Sequence, residues 1–224
     1  MDQELIYRLA FQTDTENICQ FLFRYFYYDE PLGQALKVSL EEVDQLYREI
    51  VNRCLKFPFS TLVTRNDGEI VGVLLISVWN RNDSEEDNDY EGSTSSEGIR
   101  ALIKLLNEVH SNFWSLAPSN IDSVLHREVS SVAPHFQRKG IATRMLNENL
   151  NILKLKSFNI GGVISETCSY SNQVLLAKHG FKPLKEIKYS TVEDSKGNKI
   201  LKPTDGSEGI ILNYKSIDGF DLSF

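Results

Sequence analysis

The sequence has few cysteines, and no pattern joins them. Cys19, Cys54 and Cys168 stand far apart and are odd in number, so they predict neither a disulfide framework nor a zinc site. The histidines also lack the spacing of metal ligands. They are His110, His126, His135 and His179. We therefore expect no metal.

Long apolar runs and an excess of basic charge are missing as well. No apolar stretch approaches the roughly 18 residues that a membrane-spanning helix needs, and residues 1–4 form neither a basic signal region nor a myristoylation site. The chain has 24 Lys and Arg against 31 Asp and Glu, a net charge of −7, which repels a phosphate backbone. We predict a cytoplasmic protein whose partners include no membrane and no nucleic acid.

The chain has the size and composition of one folded domain. Its 224 residues are 41% hydrophobic, enough for one sizeable core, and we see no internal repeat. We predict a single α/β or α+β domain over 1–224. Residues 81–96 are rich in Asp, Glu, Ser and Asn, which predicts an exposed acidic loop within it.

Three stretches of the first half have apolar residues at helical spacing. Residues 13–16 (TDTE) form a capping-box pattern, with Thr13 as the cap, before an aromatic-rich helix that would end near Pro31. Residues 39–42 (SLEE) repeat that pattern before a second helix. The third stretch is 97–114.

The strand signals come in the middle and at the end of the chain. Runs at 60–65 and 69–79, separated by an Asn-Asp-Gly turn, predict an antiparallel hairpin. The second half then alternates strands with helices. In chain order we predict a strand at 124–132, a helix at 139–156, a strand at 160–165, a helix at 171–179 that Gly180 ends, and a final β pair at 181–192 and 208–217.

The most informative segment joins the strand at 124–132 to the helix after it. Residues 137–143 (QRKGIAT) would form a Gly-containing turn that directs several backbone N–H groups at one point, beside the partial positive charge of a helix start. A pyrophosphate suits such a place. Neither the Walker A nor the Rossmann glycine pattern is present.

This segment resembles the signature Gln/Arg-x-x-Gly-x-Gly/Ala of GNAT-superfamily N-acetyltransferases, which Gln137, Gly140 and Ala142 match. A second match is the strand 162–167 (GVISET) followed by Asn172 and a short helix that ends in Gly-Phe. The resemblance implies the GNAT fold, an α/β (α+β) fold with a mixed, mostly antiparallel central sheet flanked by helices, in which parallel strands four and five splay apart.

The same resemblance implies acetyl-CoA as co-substrate and no metal. Its pantetheine arm would insert between the splayed strands, here 129–132 and 164–167, and pair with the backbone groups freed there. The residues assigned to the cofactor are Ser131, Val132, Gln137, Arg138, Lys139, Gly140, Ile141, Ala142, Thr143 and Asn172.

Residues 26–32 (FYYDEPL) are similar to an Asp-Glu-Pro-Leu segment of insect-type arylalkylamine (dopamine) N-acetyltransferases. That likeness implies that Glu30 is a general base for the attacking amine, assisted by the small polar residues Ser169 and Ser171. It implies an acceptor such as dopamine, tyramine, octopamine or serotonin. The sequence departs from these families at two positions. Asn172 stands where the insect enzymes have Ser, and Leu176 stands where the superfamily often has a Tyr that donates a proton to the departing thiolate.

Several alternatives stay open at this point. Without the resemblance, Glu30 simply ends a helix, and Cys168 has no evident His partner that would make it a nucleophile. The acceptor is a small-molecule amine, and polyamines, amino acids and peptide amines are alternatives to an arylalkylamine. A non-catalytic acyl-CoA-binding module is a further alternative. We expect a monomer or a weak dimer.

Overall fold

The computed structural model describes residues 4–83, 96–193 and 196–220, which form a seven-stranded sheet in the order β1-β2-β3-β4-β5-β7-β6. All neighbouring strands are antiparallel except β4 and β5, which are parallel. This confirms the predicted mixed, mostly antiparallel sheet. The strands are β1 (Leu5–Leu9), β2 (Thr61–Arg65), β3 (Ile70–Asn80), β4 (Ser123–Val132), β5 (Ile160–Thr167), β6 (Lys182–Lys188) and β7 (Gly209–Ser216).

Helices connect the strands. They are α1 (Thr15–Phe21), which continues through a π-helical stretch (Leu22–Phe26) into α2 (Tyr27–Asp29), then α3 (Pro31–Ala35), α4 (Leu40–Cys54), α5 (Glu97–His110), α6 (Phe113–Leu116), α7 (Ile141–Met145), α8 (Ile152–Ser157) and α9 (Tyr170–Lys178). Short 3-10 helices lie at Gln12–Asp14, Pro134–Phe136, Tyr189–Thr191 and Ile217–Gly219. No helix among the described residues is long and apolar enough to cross a membrane.

The sheet has an apolar core on each side, because successive side chains of a strand point to opposite faces. Val124 of β4 packs with residues of α1, α4 and α5, on what we call the first face. Leu125 packs with residues of α7, α8 and α9, on the second face.

Strands β4 and β5 pair over only part of their length. Their register runs from Ser123 opposite Ile160 to His126 opposite Ile164 and ends there. Beyond that point Arg127 and residues 129–132 remain paired with β3, and residues 165–167 remain paired with β7. We call this opening the fork. It confirms the predicted splay of strands four and five.

A β-bulge accompanies the fork. Opposite β3, Arg127 pairs with Ile76 and Val129 with Leu75, so Glu128 has no partner in the register. A bulge of this kind bends the strand and increases its local twist. It therefore helps to turn β4 away from β5.

The helix predictions succeed in part. Ser39 caps α4, since its Oγ accepts from the Glu42 N–H while the Glu42 carboxylate accepts from the Ser39 N–H, as predicted. The aromatic-rich helix ends at Asp29, before Pro31, as predicted, and Pro31 begins the separate helix α3. Thr13 is not a cap. Instead, the Asp14 carboxylate accepts from the Phe11 N–H at 2.9 Å.

The predicted helix at 139–156 is wrong as one element. It is divided into α7 and α8, because Asn149 has a left-handed φ of 61° and Asn151 caps α8 through the N–H groups of Leu153 and Lys154. Asparagine favours such turns and caps over helix interiors. The predicted hairpin is confirmed as β2 and β3. Of the predicted acidic loop, residues 84–95 lie outside the described residues.

Candidate active site

A basic turn links β4 to α7 on the second face. We define it as residues 133–144. Arg138 and Gly140 have left-handed φ values of 62° and 82°, and Gly140 is the N-cap of α7. A Cβ added at Gly140 would meet no heavy atom within 4 Å, so the space above the turn is open.

The basic turn differs in charge from the rest of the chain. It contains Arg138, Lys139 and Arg144 and no acidic residue, hence three positive charges in a chain of net charge −7. The first N–H groups of α7, those of Ile141 to Thr143, have no acceptor inside the helix. The turn therefore offers N–H donors and positive charge toward open space, which suits a phosphate group.

The side chain of Gln137, which the sequence assigned to the cofactor, hydrogen-bonds to other parts of the protein. Its Nε2 donates to the Asp29 carboxylate at 2.9 Å and to the Val132 carbonyl at 3.0 Å. Gln137 thus ties the segment before Glu30 to the end of β4. Gln137, the glutamine of the predicted signature, therefore fixes the Glu30 segment relative to the end of β4.

Glu30 lies at the start of α3 and caps it. Its Oε1 accepts from the Leu32 N–H at 3.0 Å, and its Oε2 accepts from the Gly33 N–H at 2.5 Å. Burial raises the pKa of the Glu30 carboxyl, although these two hydrogen bonds oppose the rise. A carboxylate has about four lone-pair positions. Glu30 can therefore cap the helix and still accept a proton.

Three side chains that sequence reasoning did not assign to the site lie close enough to feel the charge of Glu30. They are Tyr47 of α4, Cys168 after β5 and Tyr189 after β6. Burial, followed by the Glu30 charge, raises the pKa of Tyr47 and of the Cys168 thiol. The Tyr189 hydroxyl, whose pKa is also raised by burial first, donates to the Cys168 carbonyl at 3.0 Å.

The raised pKa values keep the Cys168 thiol and both phenols protonated at neutral pH. A protonated thiol is a weak nucleophile, which agrees with the sequence argument against Cys168 in that role. No local pattern could have found this group, because Tyr47 reads as the core face of a helix and Tyr189 as part of a strand. The fold brings them together.

The other predicted residues lie at the end of β4 or shortly after the end of β5, the two strands that form the fork. Ser131 and Val132 end β4 and are buried. Ser169 is the N-cap residue of α9, without a side-chain capping bond, and Ser171 is exposed in its first turn. Asn172 follows and is half-buried. The described interactions of Glu30 include the effect of its charge on the Cys168 thiol but none with Ser169, Ser171 or Asn172.

The first face also holds a buried ionic group, which we call the His–Glu cluster and define as Arg53, His110, His126, Glu128 and Glu166. Glu166 contacts His126 Nε2 at 2.6 Å and His110 Nε2 at 3.0 Å. Arg53 binds Glu128 at 2.6 Å. Burial alone would raise the pKa of Glu166, but the two histidines outweigh it and lower that pKa well below its usual value.

The His–Glu cluster corrects the interpretation of the histidines as scattered. His110, His126 and Glu166 place three potential ligand atoms within 4.8 Å of one another, although they are far apart in the sequence. This is a donor set that a metal ion could use. The 2.6 Å distance between Glu166 and His126 Nε2 is that of a hydrogen bond, so the Glu166 carboxylate is already engaged by the protein, whereas His126 Nδ1 is buried with no hydrogen-bond partner among the described residues.

The sheet order, the parallel fork and the basic turn at its mouth together define the GNAT fold, as the sequence predicts. No family model and no curated protein matches the sequence. The chain is nevertheless similar to many solved structures. One is arylalkylamine N-acetyltransferase 2 from Aedes aegypti, with a TM-score of 0.81 and 20% identity over 96% of this chain and 99% of that one.

Two further solved structures extend the comparison. The Drosophila melanogaster polyamine N-acetyltransferase has a TM-score of 0.75 and 15% identity, over 96% of this chain and all of that one. Arabidopsis thaliana NAA60 in complex with acetyl-CoA has a TM-score of 0.51 and 14% identity, over 96% of this chain and 99% of that one. At such identities the likeness establishes the fold.

Proposed function

We propose that the protein is an N-acetyltransferase that transfers the acetyl group of acetyl-CoA to the primary amine of a small molecule, most of all an arylalkylamine. The observation that carries this proposal is the fork. It opens between a carboxylate of raised pKa, Glu30, and a basic turn that includes the first N–H groups of α7, which have no acceptor inside the helix. The names of the similar structures, which are amine acetyltransferases, support it.

The donor would occupy the second face and the fork. The residues present fit it: Arg138, Lys139 and the N–H groups from Gly140 to Thr143 would hold the pyrophosphate, close to Ile141 and Ala142. The pantetheine arm would pair with backbone groups of Ser131 and Val132 in the fork, with Asn172 on its far side. Acetyl-CoA supplies the activated thioester. No metal takes part in this proposal.

The acceptor would meet the donor from the first face. Glu30 takes a proton from the ammonium, directly or through water, and the freed lone pair attacks the thioester carbonyl. The carbon–nitrogen bond forms, the carbon–sulfur bond breaks, the nitrogen gives up its second proton, and the departing thiolate takes up one proton. Leu176 cannot supply one, so we assign it to a protonated neighbour of Glu30, Cys168 or Tyr189. Ser169 and Ser171 would assist at the start of α9.

The surroundings of Glu30 favour a cationic amine with an aromatic tail. Phe26, Tyr27 and Tyr47 supply aromatic surface beside it, and Phe26 and Tyr47 have ring centroids 5.6 Å apart. A second candidate acceptor is a polyamine, because Asp205 places another negative charge close enough to raise the pKa of Glu30. In either case we propose a cytoplasmic monomer or weak dimer acting as one domain.

The test is release of free thiol from acetyl-CoA with arylalkylamines, polyamines, amino acids and short peptides as acceptors. We expect arylalkylamines to be turned over best, and Glu30→Gln to lower turnover by about 10²- to 10⁴-fold, the usual contribution of a general base. The matched control is Glu42→Gln, which removes another carboxylate that accepts a backbone N–H at a helix start and should leave turnover unchanged.

Three outcomes would change the proposal. Turnover of another amine alone would keep the reaction and replace the acceptor. Full turnover by Glu30→Gln would remove Glu30 from the mechanism. Acetyl-CoA binding with no turnover of any amine would identify a binding module.

A further inference from the structure

Arg127 of β4 is a buried arginine whose guanidinium has no hydrogen-bond partner among the described residues. The residue is 3% exposed. Its Nε, Nη1 and Nη2 atoms are all buried, and none has a hydrogen-bond partner among the described residues. Burial lowers the pKa of Arg127 to about 10, which leaves it charged at neutral pH. A buried charge without hydrogen bonds is unfavourable, and native proteins rarely keep one without a reason.

The position of Arg127 is at the base of the fork. It directly follows His126, the last residue of β4 that pairs with β5. Its carbonyl accepts from the Ser165 hydroxyl across the fork at 3.2 Å. Arg127 stands opposite Ile76, which belongs to the core of the second face. Its side chain therefore lies on the same side of the sheet as the basic turn.

The acidic side chains near Arg127 are already engaged. Glu128 is bound by Arg53, and Glu166 is bound by His126 and His110. Arg53 and Arg127 together carry two positive charges, and Glu128 and Glu166 carry two negative charges. Both carboxylates are already bound by other side chains, and neither accepts a hydrogen bond from Arg127. What its guanidinium lacks is acceptor oxygens, and neutral carbonyl groups would provide them.

We propose that Arg127 is a donor-binding residue whose guanidinium hydrogen-bonds the carbonyl oxygens of the acyl-pantetheine arm at the base of the fork. The inference rests on the proposed function, since it takes acetyl-CoA as the ligand. The pantetheine arm has two amide carbonyls and ends in the thioester carbonyl, so it presents neutral acceptors along its length. Arg127 would then bind the pantetheine arm, while the basic turn binds the pyrophosphate.

Calorimetric titration of Arg127→Met with acetyl-CoA and with ADP tests this assignment. ADP carries a pyrophosphate but no pantetheine arm. Because a hydrogen bond to a charged group contributes about 1.5–3 kcal/mol, we expect acetyl-CoA to bind roughly ten- to a hundred-fold more weakly. ADP affinity should stay unchanged. The ligand-free variant should melt at the same or a higher temperature, since it no longer buries a guanidinium without hydrogen bonds.

Arg127→Lys keeps the charge with a single nitrogen and should give an intermediate acetyl-CoA affinity, which also covers the case in which the methionine variant does not fold. Unchanged acetyl-CoA affinity in Arg127→Met would overturn the assignment, as would an equal loss of ADP affinity. Wild-type preference for malonyl-CoA that Arg127→Met abolishes would replace the carbonyl site by a carboxylate site. A wild-type protein that binds neither acetyl-CoA nor ADP would instead refute the proposed function itself.

Discussion

The basic turn and the His–Glu cluster lie on opposite faces of the same strand, β4, and they are built in opposite ways. The turn takes all its residues from one run, 133–144, is largely exposed, and includes the first N–H groups of α7, which have no acceptor inside the helix. The cluster takes its residues from α4, α5, β4 and β5, is buried, and satisfies its carboxylates internally.

This difference suggests that the basic turn serves ligand binding and the His–Glu cluster serves the stability of the fold. Groups that are left unsatisfied and exposed are available to a ligand, whereas a buried ionic group whose carboxylates are bound inside the protein acts mainly on the free energy of unfolding. Variants in the turn should therefore change ligand affinity with little effect on stability. Variants in the cluster should do the reverse.

The strongest test of the comparison is Glu166→Gln, which removes the charge that joins the two histidines. Breaking a buried ion pair by changing one partner typically destabilises a protein by about 3–5 kcal/mol, and we expect a loss of that order. Denaturant unfolding at neutral pH measures it. The control is Glu69→Gln, which breaks the exposed contact with Arg65 and should change stability by no more than about 0.5 kcal/mol.

The pH dependence of unfolding sharpens this test. The pKa of Glu166 is lower in the folded protein than its usual value of 4.5. Its stabilising contribution is therefore complete above the unfolded-state pKa and is lost as the pH falls toward the folded-state pKa. The gap in stability between wild type and Glu166→Gln should narrow below about pH 4.5. A gap that is small at neutral pH would show that the cluster is not structural.

The second test is Gly140→Val in the basic turn. Valine disfavours the left-handed φ of 82°, and its side chain would occupy the open space above the turn. We expect acetyl-CoA affinity to fall roughly ten- to a hundred-fold, the value of one or two charge-assisted hydrogen bonds. Gly68→Val is the matched control, because Gly68 also has a positive φ of 88° and open space around its Cβ position.

Both glycine variants should lose a similar, small amount of stability, since both strain the same kind of backbone position. Only Gly140→Val should lose affinity. Equal acetyl-CoA affinity in the two variants would contradict the assignment of the basic turn, and a much larger loss of stability in Gly140→Val would contradict the separation of the two regions.

The sequence predicted what contiguous residues determine. The alternation of strands and helices, the basic turn and the Ser39 cap follow from patterns within a few residues, the fork follows from the resemblance to GNAT proteins, and the structure confirms them. The helix at 139–156 failed because Asn149 and Asn151 favour a turn and a cap over propagation. The His–Glu cluster and the tyrosines near Glu30 were not predictable, because each depends on residues that only the folded sheet brings together.

Substitution of Asp14 should have the smallest effect on stability. It also tests the limit of local patterns directly, since the capping-box pattern predicted Thr13 as the cap. Arg8 binds the Asp14 carboxylate through two nitrogens at 2.8 and 2.9 Å, and these hydrogen bonds lower the pKa of Asp14. We expect Asp14→Asn to lower the free energy of unfolding by about 1 kcal/mol, because Arg8 is partly exposed to solvent. Thermal unfolding at neutral pH measures this change.

The matched variant is Thr13→Ala, which should leave stability unchanged if Thr13 does not cap the helix. The Asp14 contribution should be present above its usual pKa of 3.8 and disappear as the pH falls below it, since folding lowers that pKa. If Thr13→Ala lowered the free energy of unfolding by as much as the loss of a typical cap, about 1 kcal/mol, Thr13 would be the cap as the local pattern predicted. The Arg8–Asp14 ion pair would then not be what stabilises the start of α1. Equal stability of wild type and Asp14→Asn would mean that neither residue stabilises the start of α1, which would then depend on the apolar packing of Ile18 and Phe21 alone.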